Sequence, residues 1–341
     1  MITHNNVLPV KSERGALGTG FKFLVGVMPW AIIAGLLAAA VFIKPKAVGS
    51  AVIPPALENR DQFYGLTRLD GRVLAAGIYG KILEVKDNGE IRAIETGTKA
   101  NLQDIAAWDE KHLIAIGNDA TVITSSNGGT TWTAAEVVPR TDIADKLRRI
   151  RIWGQGYAVI TGEMGAVLKT NDYGLTWNRL IEEEDLSIND VHRFSNGDLL
   201  VVGEFGRVKR LPAGAGEVEE VFVETENSLM AVSFRDDDNG VIVGLDGMVL
   251  VTSDGGHNWQ QHDVGTHDHL FDVVWLEEKR EWFATGGLGR WVRGTPGSWS
   301  NGILAPRETS WHVRILPVNN ELWLAGRNLG KLNNSTWTLI Q

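Results

Sequence analysis

Hydrophobic and polar positions follow two different patterns along the chain. From Phe23 to Ile43 there are 21 consecutive residues without a charge. As a helix they would span about 31 Å, close to the hydrocarbon thickness of a bilayer. Beyond residue 60 the apolar residues come instead in short β-prone runs separated by turn residues, a pattern of strands. Asp104 to Trp108, His112 to Ile116, Thr121 to Thr124 and Thr131 to Val137 read in this way as four successive strands.

The strand region repeats. A Gly-x-x-Gly unit follows an apolar run at Gly77–Gly80, Gly162–Gly165, Gly203–Gly206, Gly244–Gly247 and Gly286–Gly289. Two further copies are degenerate: Gly117-Asn-Asp-Ala120 lacks its second glycine, and Gly326-Arg-Asn-Leu-Gly330 reads as carrying one extra residue. The first glycines stand 40, 45, 41, 41, 42 and 40 residues apart, the period of a four-stranded propeller blade. The expected fold is therefore all-β, a seven-bladed β-propeller of four-stranded antiparallel blades after one N-terminal transmembrane helix. Its parts are a cytoplasmic tail (1–22), the helix (23–43), a linker (44–60) with Pro45, Pro54 and Pro55, and the propeller (61–341).

A second motif lies between the third and fourth strands of three units. It reads Ser125-Ser-Asn127-Gly-Gly129-Thr-Thr-Trp132, Thr170-Asn-Asp172-Tyr-Gly174-Leu-Thr-Trp177 and Thr252-Ser-Asp254-Gly-Gly256-His-Asn-Trp259. An Asn or Asp side chain caps its own turn, the glycine takes a conformation other residues resist, and the tryptophan packs between sheets. These carboxylates are expected to fold the blade and take no part in chemistry.

Charge narrows the partners. Residues 1 to 50 carry a balance of +4, and the remainder −13. An acidic body does not suit a phosphate backbone, so nucleic acid is not an expected partner. Cysteine is absent, which excludes disulfides and thiolate chemistry. Lys11, Arg14 and Lys22 before the apolar run outnumber Lys44 and Lys46 after it, which favours a cytoplasmic N-terminus and an extracytoplasmic, periplasmic propeller at the inner membrane. A cleaved signal peptide ending near Ala38–Ala40 is the competing reading, against which stand the length of the run and of its polar lead.

The three boxes are Asp-box (BNR-like) repeats, and with the Gly-x-x-Gly period the region from about 60 to 341 resembles the photosystem II stability and assembly factor-like propellers. The resemblance implies a non-catalytic propeller that helps a membrane complex assemble; no cofactor or metal is expected. It also implies an arginine-rich binding face. Relatives in heterotrophic bacteria suggest a place beside a membrane transporter, such as one of the RND superfamily.

Basic residues follow the second glycine at Lys81, Arg207, Arg290 and Lys331. With Arg327, those of the sixth, seventh and first blades would form an arc on one face, and loop-tip Tyr79, Phe205 and Leu288 would add apolar anchors. The opposing reading is a set of solvated charges at strand ends. The segment His257 to His269, with His262, Asp263, His267 and Asp268, carries the residue types of a zinc site but no recognised spacing. The acidic runs at 182–185 and 236–238 read as solvated loops. A glycoside hydrolase is the rival function, since Asp boxes also occur in sialidases. That chemistry needs paired carboxylates, or a tyrosine nucleophile with clustered arginines.

Overall fold

A computed structural model describes residues 17–42, 55–135, 145–214 and 216–341. They fall into two units, one within Met1–Pro54 and the other Pro55–Gln341. In the first, an α-helix runs over Leu17–Phe42 with Pro29 inside it. Its side chains are described from Gly26 to Ala39, and Trp30, Leu36 and Leu37 among them are exposed. Among the described residues no helix is long and apolar enough to cross a membrane. The first 16 residues, and the expected linker up to residue 54, lie outside the described residues.

The second unit is seven four-stranded sheets, each made of four strands consecutive in sequence. The second blade shows how closely the apolar runs foretold them: its strands are Leu102–Ala107, Leu113–Gly117, Val122–Ser125 and Thr133–Ala135. Strands pair antiparallel throughout. Each sheet is too thin to bury both faces alone, and the buried side chains collect into seven clusters, one at each interface between neighbouring blades. The last of these joins Phe63, Leu66 and Val73 of the first blade to Trp323, Ala325 and Leu329 of the seventh, and so closes the ring by packing, with every strand kept in its own blade. Ala56 and Leu57 pack on the same cluster, so chain before the first strand also supports the seam.

The glycine repeat has two separate causes. Ile78, Asn118, Glu163, Glu204, Leu245, Gly287 and Arg327, each following the first glycine, donate a backbone hydrogen bond to the residue just before the innermost strand. That brings the strands so close that a Cβ on Gly77 would stand 2.0 Å from the Gln62 carbonyl oxygen, and one on Gly326 1.9 Å from that of Trp311. The second glycine turns the chain with positive φ, +69° at Gly80 and +66° at Gly247. In the second blade Ala120 takes that conformation instead, at φ 48°.

The seventh turn departs from the sequence expectation. Leu329 pairs with Ala325 as Ile82 pairs with Ala76 in the first blade, so the loop is two residues shorter than the others where one extra was expected. Gly330 is consequently inside the third strand, where its missing side chain makes room for the Trp337 ring, 2.5 Å from where a Cβ would stand.

Candidate functional site

Innermost strands and Gly-x-x-Gly turns begin and end on the same face of the ring, because the second strand runs back toward the start of the first. This turn face carries Tyr79, Phe205 and Leu288, which are 71%, 71% and 57% exposed. All three hold positive φ, between 54° and 56°, in the left-handed region that costs a non-glycine residue about 1–2 kcal/mol. They belong to the first, fourth and sixth blades, so they stand apart around the ring.

The basic residues of the expected arc are mostly neutralised within the molecule. Lys81 contacts Asp61 at 2.5 Å, Arg290 contacts Asp268 at 2.6 Å and Arg207 contacts Glu220 at 3.1 Å. Lys331, placed by the short seventh turn in mid-strand opposite Trp323, lies over that ring at 4.4 Å with Glu321 at 3.7 Å. It is therefore not the counterpart of Lys81. Arg327 differs: it is exposed, donates to the Asn59 carbonyl at 3.3 Å, and has no acidic partner among the described residues. It borders a groove of about 840 Å³ along the seam, whose floor includes Trp311, Leu329 and Ile340.

Around the axis, the inner strands present a second ring of side chains. Their third residues are Gly65, Asp104, Arg149, Asp190, Ala231, Asp272 and Arg314. The acids clamp the next blade: Asp104, Asp190 and Asp272 accept the backbone N–H of Ile150, Val232 and Ile315 at 3.1, 3.1 and 2.7 Å. Arg149 joins Asp190 at 3.1 Å and Asp272 at 2.7 Å, Arg151 also holds Asp190, and Arg314 meets Asp104 at 3.2 Å. Burial pushes the Asp104 carboxyl up to about 7 against the pull of Arg149, and raises Asp272 as well. Asp190 is lowered: burial opposes ionisation, but Arg149 and Arg151 outweigh it.

The second residues of the same strands, Tyr64, Gln103, Arg148, Asn189, Met230, Phe271 and Val313, line an axial funnel of about 310 Å³ opening on the turn face. Lys146, Trp311, Arg149 and Arg314 complete it, so four cations and no carboxylate line the opening. Tyr64 and Trp311 stack across one wall, centroids 5.7 Å apart.

The box residues make their contacts within their own turns. Asp172 accepts the N–H groups of Leu175 and Thr176 at 3.0 and 2.9 Å, and Asp254 that of Asn258 at 3.0 Å. Asn127 accepts Thr131 N–H at 2.9 Å in the same way. Loss of hydration works against the Asp254 charge, yet bonds from Asn258 and Thr252 bring it down to about 2. Gly129, Gly174 and Gly256 hold φ from 80° to 85°. Trp132, Trp177 and Trp259 pack on the preceding blade, the latter two donating to the carbonyls of Gly174 and Gly256. In the histidine segment, His269 accepts the Asp246 N–H at 3.0 Å, and no group of three or more candidate metal ligands occurs among the described residues.

With this geometry in view, the comparisons with known proteins are specific. The profile of the family described as "Photosynthesis system II assembly factor YCF48" matches residues 83–189 and 213–290, just over half of the chain. This chain belongs to that family. A curated relative, the photosystem II assembly lipoprotein Ycf48 of Synechococcus sp. (strain CC9902), is 25% identical over 52% of this chain and 67% of its own. Among solved structures, YCF48 bound to D1 peptide superposes with a TM-score of 0.66 at 17% identity, over 80% of this chain and 91% of that one. A streptogramin B lyase does so with 0.68 at 18%, over 82% and 95%. Likeness at this identity establishes the fold alone.

Sequence reasoning missed the axial ring. Its signal is present nonetheless: Asp104, Arg149, Asp190, Asp272 and Arg314 all stand 12 to 14 residues ahead of the first glycine of their repeat. Each is the third residue of its inner strand.

Proposed function

We propose that this member of the YCF48 family is a non-catalytic accessory propeller that binds a membrane protein and assists assembly of its complex. The observation that carries the reading is the turn face. Three apolar side chains, Tyr79, Phe205 and Leu288, stand in solvent there on separate blades, and Arg327, without an acidic partner among the described residues, edges the seam groove. A fold gains nothing from such exposure, whereas an interface does. A relative bound to D1 peptide supports a membrane protein segment as the kind of client. A transporter of the RND superfamily stands as the narrower client, carried by the sequence resemblance alone. The uncharged run 23–43 serves in this reading as the bilayer anchor, with 1–22 as a cytoplasmic tail, 44–60 as linker and the propeller on the periplasmic side. Curated relatives named as lipoproteins support attachment to a membrane.

Two features speak against hydrolysis. The box carboxylates are saturated by their own turns, and the axial aspartates, at most 3% exposed, are held by arginines and backbone N–H groups. Neither set leaves a carboxylate pair flanking a substrate space. Purified protein should turn over neither aryl glycosides nor sialosides. Turnover abolished by one carboxylate substitution would contradict the proposal.

A further inference from the structure

The axial funnel is chemically unfinished on its turn-face side. Below its floor the charges are matched: Arg149 is shared between Asp190 and Asp272, and Arg314 reaches Asp104 through one terminal nitrogen. At the opening the hydrogen bonding is incomplete. Arg314 Nε and Arg148 Nε are buried without a hydrogen-bond partner. Arg148 approaches Glu163 and Glu204 only to 3.6 and 3.8 Å, too far for good hydrogen bonds, and its one bonded partner is the Ser187 hydroxyl at 3.3 Å. Asn189 is 6% exposed; its amide group donates to the Leu229 carbonyl at 2.8 Å, while its Oδ1 is unpartnered. A buried polar group left unmatched costs about 1–3 kcal/mol, and here three such groups belong to residues that line one cavity.

We propose that this funnel binds a small organic carboxylate that also carries an O–H or N–H donor. The carboxylate would accept from Arg148 and Arg314, with Lys146 adding charge, and the donor would satisfy Asn189 Oδ1. About 310 Å³ is room for roughly ten water-sized groups, enough for a compact acid and too little for a folded peptide segment. Trp311, stacked on Tyr64, offers a flat wall to the carbon skeleton. Burial and then the positive charge of the neighbouring Arg148 lower the Lys146 pKa, against Glu163. Such a ligand would sit beneath whatever docks on the turn face.

The test is calorimetric titration of the full chain in mild detergent with L-malate, salicylate and their neutral amides, alongside an acidic peptide. The expected result is saturable binding of at least one of the two acids, with its amide at least tenfold weaker. Arg148→Gln and Asn189→Leu should each weaken that binding tenfold or more, and Lys279→Gln, on an exposed turn elsewhere, should not. Lys146→Gln, a milder change, should weaken it several-fold, and melting curves without ligand verify that each variant is folded. Acids that bind no better than amides, equal binding in folded Arg148→Gln and Asn189→Leu, or binding of the acidic peptide alone would overturn the proposal.

Discussion

Arg149 of the third blade reaches across the axis to Asp272 of the sixth, nitrogen to oxygen 2.7 Å, with both side chains at most 4% exposed. Arg149 also holds Asp190 of the fourth blade, and Asp190 and Asp272 each clamp the strand beyond, so one guanidinium ties together five of the seven blades. Replacing it with methionine leaves two buried carboxylates without their main counter-charge. Arg149→Met should cost about 3–5 kcal/mol in urea unfolding, the range for breaking a buried ion pair from one side. Adding Asp272→Asn should recover part of that loss.

Asp104 makes stability depend on pH. Its carboxyl titrates near 7 in the folded protein, against about 4 unfolded. Between those values the native state binds more protons than the unfolded one, so this group's contribution to stability falls as pH rises from about 4 to about 7, and is level above that. Arg149 and Arg151 of the third blade and Arg314 of the seventh face it. Asp104→Asn should flatten that part of the stability profile, measured by denaturation across pH 4 to 8.

His192 works in the opposite sense. Burial against Phe194 and Phe234, together with Arg151, depresses its pKa to about 4. Its contribution is intact above about 6.5, the unfolded value, and lost as pH falls toward 4. His192→Phe should remove this acid-side loss, leaving the Asp104 slope visible alone.

The glycines divide by cause, and substitution should separate them. A methyl on Gly77 would meet a backbone oxygen at 2.0 Å, whereas Gly89, at φ +87°, has nothing within 4 Å. Gly89→Ala should cost only about 1 kcal/mol, the conformational penalty of left-handed backbone. Gly77→Ala should cost well over twice that, read as the loss in urea midpoint at constant slope.

How much of this was legible in the sequence follows from what each residue answers to. Gly77, Gly117 and their counterparts answer to a local contact made once per blade, so their spacing counted the blades correctly even where the second glycine was lost. Gly330 answers to Trp337, a packing partner across the sheet, and its resemblance to a turn glycine set the seventh turn wrongly and misplaced Lys331. The box aspartates answer to local partners: every one lies within four residues. The axial ring was missed because Arg149 and Asp272 are 123 residues apart and meet only once the ring closes. The cationic arc looked freer than it is for a nearer cause: Asp61 and Asp268, which neutralise Lys81 and Arg290, come from the loops before the inner strands of the same blades, 20 and 22 residues away.

The central claim is that the turn face docks a membrane protein. The most direct measurement is co-purification from mild detergent of a membrane protein with the full chain and with a Tyr79→Ser, Phe205→Ser, Leu288→Ser variant, all three positions being solvent-exposed. The account predicts that a stoichiometric membrane partner is recovered with the unaltered chain and falls at least tenfold with the folded variant, and further when Arg327→Gln is added. Recovery of the same partner in the same yield with all four side chains replaced would contradict it.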